Sequence, residues 1–216
     1  MSMVVEIIAD VACPWCFIGK RRLDIALEIY RGDKHAEPRL IWRPYQLHPE
    51  VPPGGADRES FLTGKYGEAG ARRIYSRVLA MGRQAGLVLD FSRMARQPNT
   101  LAAHSLVALA ANYQRHSELV DLFFSALFIG GRDLSDVAVL LELAGTVGIP
   151  EKAARMTLAS AEVRERIAAD ELETRKLAAS GAPIFIFNNK IVITGAQESQ
   201  TLLRAMLMSN GDAVAA

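Results

Sequence analysis

The stretch DVACPWCFIGKRRL, Asp10 to Leu23, contains both cysteines of this 216-residue chain, Cys13 and Cys16, with Pro14 and Trp15 between them. The run before it, MVVEIIADV, is short, β-branched and apolar, which predicts a buried strand. From Pro14 to about Tyr30 apolar residues recur at helical spacing. Proline suits the first helical turn, where its missing N–H would have no partner anyway. A cysteine pair between a strand and a helix has a mechanical reading. Free N–H groups and the positive end of the helix dipole stabilise a thiolate on the first sulfur. The second sulfur lies about one turn on, in reach of a mixed disulfide. Cys13 is the candidate nucleophile and Cys16 the resolving thiol.

Other uses of two cysteines stay open at this point. A structural zinc site needs about four ligands. No second Cys-x-x-Cys exists, and His35, His48, His104 and His116 show no ligand spacing. Two packed, inert cysteines, or a redox fold retained only for binding, are the remaining alternatives.

Outward from the pair, RLIWRPYQL (Arg39–Leu47) reads as a second strand, with Pro44 placing it at an edge or interruption. From Asp57 to Ser180 almost everything reads helical, with breaks at Gly86, Arg96–Asn99, His116, Gly130–Asp133, Gly148–Pro150 and Ala159–Ala161. Helix starts are expected at Asn99-Thr100, Ser117 and Ser135. SAEVRERIAADELETRKLAASG predicts an amphipathic helix ending at Gly181. APIFIFNNKIVITGA then switches to two short β runs joined at Asn188-Asn189. A last amphipathic helix and a loose tail follow. The order is β-α-β, a helical block of roughly 120 residues, then β-β-α, which predicts one four-stranded mixed sheet assembled from both flanks. In SGAPIF, Ser180 to Phe185, an X-Pro bond brings the cis form within about 0.5–1 kcal/mol. Pro183 is therefore a candidate cis-proline, with the Ala182 backbone facing Cys13 and offering strand-like hydrogen bonds to an extended substrate.

The totals exclude several classes. With 50% hydrophobic and 23% charged residues the chain reads as a folded globular protein. A net charge of +1 gives no electrostatic case for nucleic acid or an anionic membrane. Lys20-Arg21-Arg22 reads as a solvated helix face. MSMVVEIIAD lacks a basic n-region and reads as a strand rather than a signal peptide. No apolar run approaches a membrane span. With two cysteines and no export signal, a cytoplasmic location is expected.

Five segments carry a resemblance: DVACPWCFIGKRRL, WRPYQLHP, PNTLAAHSL, LFIGGRDLSD and GAPIFIFNNKIVITGAQ. In this order, spanning essentially the whole chain, they resemble DsbA-type oxidoreductases, and more narrowly the FrnE-like cytoplasmic branch. The resemblance implies an α/β thioredoxin-like fold with a large α-helical insertion. Residues 1–56 and 181–216 would form a discontinuous thioredoxin-like domain around an inserted helical domain, 57–180. It also implies thiol–disulfide exchange at Cys13 and Cys16 beside a cis Ala182–Pro183 bond. No metal or organic cofactor is expected, and the partners implied are disulfide or dithiol proteins and peptides, or glutathione. The related 2-hydroxychromene-2-carboxylate isomerases and kappa-class glutathione transferases supply a rival, a glutathione-dependent isomerase or transferase of aromatic or polyketide-like molecules. Those typically carry serine where this chain has Cys13 and lack the resolving cysteine, so the chain departs from them at both positions. A non-catalytic holdase-like protein is a third reading.

Four further residues are candidates. Asp10 could take the proton of Cys16 if burial raises its pKa, or could cap the following helix. Trp15 is expected at an exposed substrate surface. It stands where DsbA-like sites often hold histidine and supplies no positive charge, so a milder oxidant is expected. Asn99 is a candidate helix cap or substrate contact. His104, on an apolar helix, is a candidate core histidine or site residue. A homodimer and a purely intramolecular core both account for the apolar helical block.

Overall fold

A computed structural model describes residues 3–33, 35–178 and 181–211. Strand β1 (Val4–Ala9) leads through a short turn into helix α1 (Pro14–Gly32), and β2 (Arg39–Pro44) follows. After the helical block come β5 (Ile184–Phe187), β6 (Ile191–Thr194) and α8 (Ser199–Asn210). These strands form one sheet in the order β2-β1-β5-β6, with β1 and β2 parallel and the other pairs antiparallel. Pro44 ends β2, which is an edge strand, so its missing donor leaves no gap in the ladder. Asn188 and Asn189 turn the β5–β6 hairpin at φ 51° and 54°, a left-handed backbone that asparagine tolerates better than most residues.

The register decides where the site lies. Ile8 of β1 faces Ile184 of β5. Because the two run antiparallel, the chain entering β5 meets the chain leaving β1, and Pro183 comes to the cysteine loop. β2 runs parallel to β1, so its exit also arrives there, and Tyr45 N–H donates to the Ala9 carbonyl at 3.2 Å.

Between β2 and β5 run β3 (Ala56–Asp57), α2 (Arg58–Gln84), β4 (Arg96–Gln97), α3 (Leu101–Ala111), α4 (His116–Phe128), α5 (Val137–Thr146), α6 (Glu151–Ala159) and α7 (Ala161–Leu177). The β3–β4 pair escapes the sequence reading, because two residues a side carry no periodicity. α4 begins at His116 and α5 at Val137, offset by one and two residues from the expected starts. α7 ends at Leu177, four residues before the expected Gly181, and of the expected loose tail 210–216 Asn210 still belongs to α8, while 212–216 lie outside the described residues.

One continuous apolar core runs from Val5, Ile7 and Leu27 through Val78, Phe123 and Leu140 to Phe185 and Leu202. The helical block is an insertion in sequence, yet it shares this core with the sheet. The apolar residues of the block named here are thus used inside one molecule. No helix among the described residues is long and apolar enough to cross a membrane.

The basic cluster is not a solvated face. Lys20 is buried between Asp24 and Asp121, with contacts of 2.8 Å to each. Arg22 is buried against the Ala196 carbonyl at 2.6 Å and Glu198 at 2.6 Å. Only Arg21 of the three is exposed. α1 packs between α4 and α8, so two of three adjacent cations turn inward and meet carboxylates there.

Candidate active site

Cys13 is the N-cap of α1, with φ −99° and ψ 113°, and Pro14 holds the first helical position. The Cys13 carbonyl accepts from Cys16 N–H at 3.0 Å and Phe17 N–H at 3.2 Å. Its sulfur therefore sits at the positive end of a 19-residue helix, where an anion is favoured. The Cys13 Sγ donates to the Ala182 carbonyl at 3.9 Å, and the Ala182–Pro183 bond is cis. Both thiols are free. Cys13 is 2% and Cys16 1% exposed. Burial, with Cys13 beside it, pushes the Cys16 thiol well above the ordinary cysteine value. The pair is therefore asymmetric in placement, with one sulfur at the cavity wall and the other behind it.

Asp10 is 1% exposed and its carboxylate is fully engaged. Oδ1 accepts from Ala12 N–H at 3.1 Å and Oδ2 from Leu47 N–H at 2.6 Å, while His104 Nε2 stands 3.6 Å from Oδ1. Desolvation is the largest single influence and acts upward. His104 and the two amides outweigh it, so the carboxyl lies below its ordinary value. This corrects the expectation of a raised carboxyl that takes the Cys16 proton. It also corrects the helix-cap role, since the carboxylate is held by Ala12 and Leu47 rather than by α1. Asp10 ties the exits of β1 and β2 together.

His104 is buried and Nε2 also lies 3.2 Å from the Tyr45 carbonyl. Asn99 Nδ2 donates to the Val51 carbonyl at 2.7 Å, and its Oδ1 accepts from Leu101 N–H at 3.0 Å and Gln46 Nε2 at 3.3 Å. The N-cap of α3 is Thr100, one residue later than expected. Neither Asn99 nor His104 borders the cavity beside Cys13. Both act on the loop after β2, which supports the site from behind.

That cavity, about 330 Å³, lies between the cysteine loop and α2. Cys13, Pro14, Trp15 and Ala182 form one side; Leu62, Tyr66, Ile74 and Tyr75 of α2 form the other. Trp15 is half-buried, not exposed as expected, because α2 reaches over it and brings the Arg77 guanidinium 5.4 Å from its ring. A cation thus stands near the dipeptide after all, supplied from 62 positions along the chain rather than from within the motif. A second hollow of about 340 Å³ joins Trp15 to Pro183 and Gln197. His48 lines the cysteine-side cavity; burial and Lys65, whose Nζ donates to Nδ1 at 2.8 Å, hold it below the ordinary histidine value.

The α2 wall is the part of the site that motif reading missed. Arg58, Leu62 and Tyr66 recur every four residues on one helix face, but Gly67, with φ 66° and ψ 161°, breaks α2 before Ile74 and Tyr75, and nothing local says that either segment meets the cysteines. Among the described residues no group of three or more His, Cys, Asp or Glu is placed to hold a metal ion.

Comparison with known proteins agrees with this geometry. The model of the DSBA-like thioredoxin domain family matches residues 4–207. The crystal structure of SCO1869 from Streptomyces coelicolor, described as a probable DsbA oxidoreductase, superposes with a TM-score of 0.85 at 29% identity, covering 99% of this chain and 92% of that one. At lower identity the fold alone is shared. A 2-hydroxychromene-2-carboxylate isomerase gives a TM-score of 0.71 at 14% identity, covering 94% of each chain. The cytosolic disulfide reductase DsbM from Pseudomonas aeruginosa, solved with glutathione, gives 0.62 at 16%, covering 96% of each.

Proposed function

This chain belongs to the family of DSBA-like thioredoxin domains, and from that premise we propose that it is a thiol–disulfide oxidoreductase with Cys13 as nucleophile and Cys16 as resolving thiol. The observation that carries the reading is the placement of Cys13: at the N-cap of α1, on a cavity wall and against the Ala182 carbonyl, with Cys16 buried behind it.

The deprotonated Cys13 attacks one sulfur of a substrate disulfide. The substrate S–S bond breaks, and the departing thiolate takes up a proton. Cys16 then loses its proton and attacks the Cys13 sulfur. The second substrate thiol leaves, and the enzyme is left as the Cys13–Cys16 disulfide. Run backwards, the same steps oxidise a dithiol. No metal or organic cofactor enters the balance. The raised Cys16 value suits its role, since a resolving thiol that stays protonated does not compete for substrate. Partners are disulfide or dithiol peptides, or glutathione, which the DsbM structure carries on the same fold. A cytoplasmic setting is part of the proposal, supported by the two-cysteine composition.

The test is a trapping experiment. Cys16→Ser protein reacted with a disulfide peptide accumulates a mixed disulfide at Cys13, and Cys13→Ser protein forms none. If the wild-type pair never forms a disulfide across glutathione redox buffers, the proposal is wrong.

A further inference from the structure

The cavity beside Cys13 contains charge and polarity that the exchange reaction does not use. Arg58 lies on its wall at 8% exposure. Its Nη1 donates to Gln97 Oε1 at 3.0 Å, and its guanidinium lies 5.4 Å from the Tyr75 ring and 5.6 Å from the Phe91 ring. Among the described residues no carboxylate pairs with it. The molecule treats other inward-facing arginines differently. Arg22 meets Glu198, and Arg43 meets Asp170 and Glu6. Beside Arg58 stand a neutral amide, two rings and the Tyr75 hydroxyl, and a buried cation without a counter-charge is costly unless an anion joins it.

A second group points the same way. The hydroxyl of Tyr75, on the same wall, is buried and makes no hydrogen bond of normal geometry, with the Arg58 guanidinium near enough to act on it. An unpaired buried hydroxyl carries its desolvation cost with no return. One carboxylate would satisfy both groups, taking a charge-assisted bond from Arg58 and an O–H bond from Tyr75. Arg58 and Tyr75 also border a neighbouring hollow of about 440 Å³, but that one reaches no cysteine. On the cysteine side Leu47, Leu62, Ile74 and Phe128 make the wall largely apolar, and His48, Tyr66 and Gln97 are its other polar side chains. A volume of about 330 Å³ suits a small molecule.

We infer that this cavity binds small disulfides and thiols in which an apolar body carries a carboxylate, with the carboxylate on Arg58 and Tyr75 and the sulfur at Cys13. The inference rests on the thiol–disulfide reading for its chemistry. Cys13 attacks a ring-bearing sulfur, the S–S bond breaks and one aryl thiolate leaves. Cys16 releases its proton to solvent, attacks Cys13 and expels the second aryl thiolate. The dithiol is oxidised and the small disulfide reduced, with no further reactant.

Two aromatic disulfides test it: dithiobis(nitrobenzoate), which bears carboxylates, and dithiodipyridine, which bears none. Arg58→Gln should slow the reduced protein's reaction with the carboxylate probe about tenfold, and Tyr75→Phe about threefold. Neither should move dithiodipyridine by more than about twofold on the same scale. Tyr75→Phe leaves the net charge alone and removes an unpaired hydroxyl, so it folds at least as well as the parent. Slowing of both probes alike, or of neither, overturns the inference. A second measurement is independent of exchange. In the Cys13→Ser, Cys16→Ser double variant, calorimetry should show nitrobenzoate binding that nitrobenzyl alcohol does not match and that Arg58→Gln abolishes. Absence of that binding overturns the inference even if the cysteines prove redox-active. Failure of the reduced parent to react with either disulfide overturns the exchange reading instead, and the calorimetry then decides the inference alone.

Discussion

Asp10 illustrates how a single residue is defined by what converges on it. Its carboxylate accepts amides from Ala12 and Leu47 and faces His104, so one side chain joins two strand exits and α3 just behind the cysteine loop. The folded value lies below the ordinary one. Its stabilising contribution is therefore complete above the unfolded carboxyl value of about 3.9 and is lost as pH falls through the folded value. Asp10→Asn keeps one acceptor oxygen but sets an NH₂ against the other amide. Urea denaturation at pH 7 should show a loss of about 1–3 kcal/mol. The loss should shrink below about pH 4, where Asp10 of the unfolded parent takes up its proton while the folded carboxylate still holds its charge, and should be smallest below the lowered folded value. A loss that stays constant into acid would rule out this account.

At the scale of elements, α1 comes close to the start of β5. A β-carbon on Gly19 would stand 2.9 Å from Pro183 Cγ and 3.1 Å from Phe185 Cζ. Gly19 sits mid-helix, where alanine is favoured by about 1 kcal/mol in propensity. Here the missing side chain lets α1 lie against the segment that faces Cys13. Overpacking costs about 1–3 kcal/mol. Gly19→Ala should therefore lower the urea midpoint despite its better propensity and should slow exchange at Cys13. An unchanged or higher midpoint would mean that the helix and strand have room to part.

At the scale of the whole molecule, the inserted helices and the sheet share one buried core. Both tryptophans, Trp15 and Trp42, belong to the sheet-bearing flanks, whereas most helical residues lie in the block between them. Fluorescence and far-UV circular dichroism therefore report different parts of the chain. In denaturant the two signals should fall together, as one cooperative transition. Separated transitions would show that the block and the sheet unfold as independent units.

What could be read without a structure was whatever contacts along the chain determine. Cys13, Pro14 and Cys16 occupy one helical turn, so the switch from strand period to helix period already placed the thiols at a helix N-terminus. The return to alternation at Ala182 foretold the closing hairpin, and Pro44 foretold the edge strand. The resemblance of the whole chain extended this to the family. What required the tertiary structure was every property set by residues far apart in sequence. Asp10 and His104 are 94 positions apart, and the sign of the carboxyl's shift depends on their meeting. Lys20 and Arg22 look solvated until Asp121 and Glu198 arrive beside them. The anionic-ligand wall exists because α2 lies across the cysteine loop, bringing Arg58 and Tyr75 to the cavity of Cys13. Periodicity shows that a helix has a buried face; only the packed core determines what that face is buried against.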